Sequence, residues 1–142
     1  MSGKAFVGAT MVGGIVSFLI GYLIWGMLFA DFFANNAGTA TGVMREPLNL
    51  PIVFVGTLFG AVLLTFIIGT WSKASDAGAG AKIGALVGLL VSLNIGLIQL
   101  GATNLHTTTS ALVDPILSAV HGGIVGAVIA VVGARMGGAA AA

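Results

Sequence analysis

The stretch IGALVGLLVSLNIGLIQLGA, residues 83–102, decides the fold. It contains no charge and no proline over about twenty residues, the length at which an α-helix crosses a ~30 Å hydrocarbon core. Small residues recur at every fourth position, Gly84, Gly88, Ser92 and Gly96. Such a row lies along one side of a helix and lets another backbone approach closely. The stretch therefore reads as a membrane-spanning helix with one packing ridge.

The rest of the chain repeats this pattern. Only nine residues are charged: Lys4, Asp31, Arg45, Glu46, Lys73, Asp76, Lys82, Asp114 and Arg135. They make up 6% of the chain, against roughly 25% in soluble domains. Hydrophobic residues make up 58%, 23 of the 142 residues are glycine, and mean hydropathy is +1.14. Too few polar side chains exist to cover a soluble core, which excludes a soluble enzyme. A disordered tail needs the opposite composition, low in hydrophobicity and high in charge. A net charge of +1 gives no basic footprint for nucleic acid, and the absence of cysteine removes disulfides and thiolate chemistry.

The charges act as punctuation between four uncharged runs, 5–30, 47–72, 83–113 and 115–134. None alternates apolar and polar residues as a lipid-facing barrel strand does. Since backbone groups in lipid must be satisfied internally, the runs predict four helices, near 6–30, 49–72, 81–101 and 115–135. The first run is too long for the apolar region of a signal peptide and reads as a span. Asn49 before Leu50-Pro51, and Asp114 before Pro115, read as capped helix starts. Residues 102–113, with His106 and three threonines, read as a polar loop, and Gly137–Ala142 as a frayed low-complexity tail. The expected fold is all-α, a single-domain integral membrane four-helix bundle over residues 1–142.

An even number of spans puts both termini on one side. Lys4, Lys73, Lys82 and Arg135 fall there and only Arg45 falls opposite. The positive-inside rule then makes both termini cytoplasmic. Trp71 and Trp25 suit the two interfacial aromatic belts.

Every span carries a small-residue ridge. The first has Ala9, Gly13, Ser17 and Gly21; the second Gly56 and Gly60; the third Gly84, Gly88, Ser92 and Gly96; the fourth Ser118, Gly122 and Gly126. Such ridges predict close helix packing throughout, as a tightly closed bundle or with room for a planar cofactor. On another face of the first span, Phe18, Tyr22, Trp25 and Phe29 form an aromatic stripe, read as facing lipid or a partner subunit.

Polar residues within spans are functional candidates by default. His121, Asn94, Gln99 and Asp114 read as a polar cluster in the outer half of the third and fourth spans, with His121 expected within hydrogen-bond reach of a third-span group such as Asn94, a water, a backbone carbonyl or a cofactor. Interhelical hydrogen bonding, a proton or solute path, and haem or chlorin ligation by His121 with His106 all remain open on this pattern. No phosphate loop, HExxH, GxSxG or carboxylate–histidine metal pattern occurs, so no catalytic residue, metal ligand or obligatory cofactor is expected.

The segments GYLIWGMLFADFFANNAG (Gly21–Gly38), ATGVMREP (Ala40–Pro47) and TWSKASDAGAGAKIGALVGLL (Thr70–Leu90) resemble small four-span membrane proteins of Bacteroidetes and related bacteria, a family with a domain of unknown function. That resemblance implies an inner-membrane location and a topology, and transfers no activity. The sequence-based expectation for function is a non-enzymatic, multi-pass protein in the lipid bilayer. It would associate with itself or with other membrane subunits as an accessory component. The alternatives are a small transporter or channel with a polar path in its outer half, and a haem- or pigment-binding subunit.

Overall fold

The computed structural model describes residues 1–138, and all regular elements among them are helical. The tail expected to be frayed lies partly within the last helix, and its remainder, Ala139–Ala142, is outside the described residues. Helix α1 spans Gly3–Gly21 and runs directly into a π-helical segment, Tyr22–Leu28. A short α2, Ala30–Asn35, follows. Helix α3 spans Leu50–Phe66 and ends in a second π-helical segment, Ile67–Ser72; α4 spans Ala77–Ala102 and α5 Thr108–Gly138. Four of these units are long and apolar enough to cross a membrane.

Local chemistry sets the boundaries. Ser2, Asn49 and Asp76 each accept a backbone N–H of the first helical turn, from Ala5, Ile52 and Ala79, satisfying donors that a helix start leaves unpaired. Lys73 adopts a left-handed conformation (φ 53°) after the π segment and stops it.

The fourth span departs most from the sequence-based boundary. It begins at Thr108, not Pro115, so Asp114 and Pro115 lie inside the helix and Asp114 is no cap. The start is fixed instead by a reciprocal pair: the Ser110 hydroxyl accepts the Thr107 N–H at 3.1 Å, and the Thr107 hydroxyl accepts the Ser110 N–H at 3.3 Å. With this cap upstream, a proline is tolerated in the second turn, where it costs one backbone hydrogen bond.

The helices form an open arc, not a closed bundle. Helix α5 packs on α4 along one side and on α1 along the other, and α1 packs on α3. Helices α3 and α4 are joined by a short turn at one end but have no extensive contact. Met1 reaches Gly69 and Gly133, so the N-terminus, the end of the α3 unit and the end of α5 gather at the same end of the molecule. At the opposite end, Gly38 and Ala40 donate to the Leu105 and Asn104 carbonyls, closing two loops against each other.

The ridges divide into two kinds. Between α4 and α5, a methyl group on Gly80, Gly84 or Gly88 would run into the backbone carbonyls of Gly126, Gly122 or Ser118, and one on Gly122 or Gly126 into Gly84 or Gly80. The two helices meet backbone to backbone, which only glycine permits. Gly96, at the far end of the ridge, has 3.7 Å of clearance to the Ala111 carbonyl. On α1, Gly13 receives the Ile129 side chain and Gly14 the Leu58 side chain, with Ala9 and Ser17 buried beside them. The ridge on α3 is a correction: Gly56 and Gly60 are exposed and have nothing within 4 Å. Spacing permits an approach, but no helix lies opposite this one.

Candidate functional site

The opening between α3 and α4 forms a cleft of about 530 Å³. Its side walls are apolar, from Leu63 and Leu64 on α3 and Val87, Val91 and Ile95 on α4. Its floor, where α1 and α5 show through, carries Ser17, Trp25, Asp114, Ser118 and His121. Gly60, Leu63, Val91 and Ile95 line the cleft and are also exposed, so it opens sideways at these lips.

Asp114 anchors the floor. Its Oδ1 accepts the Trp25 indole N–H at 2.7 Å and its Oδ2 accepts the Ser92 hydroxyl at 2.5 Å. One carboxylate thus ties three elements together: α5, α4 and the π segment after α1. At 1.5 Å per residue, Asp114 is about 9 Å along α5 from Thr108 and His121 about 20 Å, which places the histidine deeper than a start at Pro115 would.

His121 turns to α1 and not to α4. Its Nε2 lies 3.0 Å from the Ser17 carbonyl and 3.3 Å from the Ser17 hydroxyl. The carbonyl can only accept, so that contact requires the proton on Nε2. The ring meets Trp25 edge to face, with centroids 5.3 Å apart. Trp25 therefore links the two titratable side chains: its N–H binds Asp114 and its ring packs on His121.

Two expected members of the cluster stand elsewhere. Asn94 is exposed on α4, so of the partners expected for His121 it is a backbone carbonyl, that of Ser17, and not this amide that the ring meets. On a helix Asn94 lies 200° from Ser92, and Ser92 faces α5. Gln99 lines the end of the cleft nearest the α4–α5 loop and pairs its Oε1 with His106 Nε2 at 2.7 Å. His106 and His121 each have Nε2 occupied by the chain's own groups.

The aromatic stripe is not a single surface. Tyr22 is 49% exposed, but Phe18 packs edge-on against Phe54 of α3, Phe29 against Phe32, and Trp25 points into the site. The cause lies in the α1 ridge. Trp25 is the next fourth-position residue after Ala9, Gly13, Ser17 and Gly21. A π-helical segment rotates less per residue than an α-helix, so it offsets the drift of that row and keeps Trp25 over α5. Counting the ridge one step further identifies Trp25. Ser92 was likewise legible only as a ridge residue, and its hydroxyl does the binding.

A second cavity of about 340 Å³ lies between α1 and α3. It shares Ser17, Trp25 and His121 with the cleft, so these three residues form a wall between two spaces.

No protein-family model, curated protein or solved structure matches this chain. The site is therefore defined by its own geometry: a membrane-type helical protein with a sideways-open apolar cleft and a hydrogen-bonded carboxylate on its floor.

Proposed function

We propose that this is a non-enzymatic multi-pass protein of the bacterial inner membrane, with both termini cytoplasmic, that binds a small amphipathic molecule in the cleft between α3 and α4. The observation that carries this reading is Asp114, held by Trp25 and Ser92 at the base of an apolar-walled opening. A polar group at that depth has a cost that is recovered by function or by pairing. An apolar tail fits the walls and a polar head fits the floor. The same residues are those that a small transporter would use. Haem or chlorin ligation has less support, because both histidines already use Nε2 within the chain.

Gly60→Phe tests the cleft. Open space surrounds Gly60, so the ring can enter the cleft without meeting backbone. Binding of alkyl amphiphiles, followed by Trp25 emission in a Trp71→Phe background, should be lost while thermal stability is kept. Unchanged binding would end the reading.

Self-association has an observation of its own. Asn94 is an exposed amide about 12 Å from the Ala102 end of α4, and among the described residues α5 is the helix that packs extensively on α4. An amide carries both a donor and an acceptor, so two copies of Asn94 satisfy each other across a two-fold axis. Native mass measurement in mild detergent should show a dimer that Asn94→Leu converts to monomer and Asn94→Gln retains. A dimer that persists in Asn94→Leu removes this interface.

A further inference from the structure

The unbalanced charge on the cleft floor identifies the class of ligand. We infer that the cleft takes an amphiphile with a cationic nitrogen head, an alkylammonium, whose head is seated at Asp114. This rests on the reading of the cleft as a binding site and adds the chemistry of its occupant.

Both partners of the Asp114 carboxylate are neutral, an indole N–H and a hydroxyl. They orient the carboxylate but bring no positive charge. The residues lining the cleft include no lysine and no arginine. Lys4, Lys73, Lys82 and Arg135 lie in the first turn of α1, the α3–α4 turn, the start of α4 and the last turn of α5, which is the opposite end of the molecule. Arg45 is exposed in the loop before α3. The two histidines on the cleft bind Ser17 and Gln99. An anionic group in an apolar surrounding is stabilised by a counter-charge close by, and no lysine or arginine among the described lining residues supplies one, so a cationic ligand complements this floor.

A second feature favours a head with N–H donors. Pro115 has no N–H, so the Ala111 carbonyl lacks its helical donor. That carbonyl faces Gly96, and both residues line the cleft one turn from Asp114. The carboxylate and a carbonyl without its usual helical donor thus lie one turn apart, and both only accept hydrogen bonds. An ammonium at Asp114 donates to the carboxylate, whereas a carboxylate or phosphate head would be repelled.

The test uses the full chain in nanodiscs of zwitterionic lipid, with Trp71→Phe leaving Trp25 as the single tryptophan reporter. Dodecylammonium, dodecanol and dodecanoate share a tail and differ in head charge. Dodecylammonium should bind at least about tenfold more tightly than dodecanol, and dodecanoate more weakly than either. Asp114→Asn keeps the shape and should lower the ammonium affinity by at least about tenfold, removing its preference over the alcohol. Equal binding of ammonium and alcohol to the wild-type site overturns the inference without any variant. So does an Asp114→Asn protein that retains the preference. If neither ligand moves Trp25 emission, the cleft reading itself falls. If both bind equally and Gly60→Phe blocks both, the cleft stands and the cationic head is wrong.

Discussion

The α4–α5 hairpin and the α1–α3 pair carry the same small-residue spacing and use it differently. In the hairpin, glycines on both helices face each other and the backbones touch. In the α1–α3 pair, α1 glycines accept large side chains, Leu58 from α3 and, from α5, Ile129, while Gly56 and Gly60 of α3 face open space. A glycine ridge is thus a licence for close approach that is used only when a second ridge lies opposite. Where none does, the missing side chains hollow out a wall. The cleft exists because α4 is zipped to α5 and diverges from α3 beyond the short turn that joins them.

Gly84→Leu would break this comparison with the largest effect. The added side chain meets the Gly122 backbone, so the hairpin must separate, at a cost of about 3 kcal/mol or more. Loss of the folded species in thermal or SDS denaturation is the expected result, and Gly88→Leu should behave alike. A stable Gly84→Leu protein would mean that the two backbones do not touch.

Trp25→Phe probes the joint between the two regions. It removes the donor to one of the two oxygens of the Asp114 carboxylate and should lower stability by about 1.5–3 kcal/mol, read from unfolding in mixed detergent. A change below experimental error would show that Asp114 does not depend on the indole.

Thr65→Val sharpens the comparison in the other direction. Thr65 on α3 is fully buried and its hydroxyl has no hydrogen-bond partner among the described residues. Replacing that hydroxyl with a methyl group of similar shape should raise stability by about 1 kcal/mol. A loss of stability would reveal a hydrogen bond made by that oxygen.

Gly60→Leu carries the smallest expected effect, within about 0.5 kcal/mol, as for exposed positions generally. The contrast with Gly84→Leu, the same substitution on the same kind of ridge, is the sharpest test of the comparison. Similar destabilisation by both would refute it.

Much of this architecture is written in the order of residues. Four uncharged runs of sufficient length can only be helices in lipid, because no other single segment satisfies its own backbone there. Asn49 and Asp76 mark their helix starts by short-range chemistry that needs no tertiary partner. The Asp114-Pro115 pair carries the same local signal, yet the Thr107–Ser110 cap seven residues earlier overrides it. A capping preference is a local energy of about 1 kcal/mol, and a longer helix gains packing against α4 that outweighs it.

The site itself was decided by tertiary structure. Residue spacing places Trp25, Ser92, Ser17, His121 and Asn94 on helix faces, but a face acquires a neighbour only when the helices assemble. Asn94 and Ser92 are two residues apart on one helix; one is exposed and the other binds Asp114. The period of a ridge fixes the angle between residues on a single helix and holds no information about which helix stands opposite. That is set by which backbones approach most closely and by the π-helical segment that turns Trp25 inward, long-range outcomes of packing that composition and spacing do not encode.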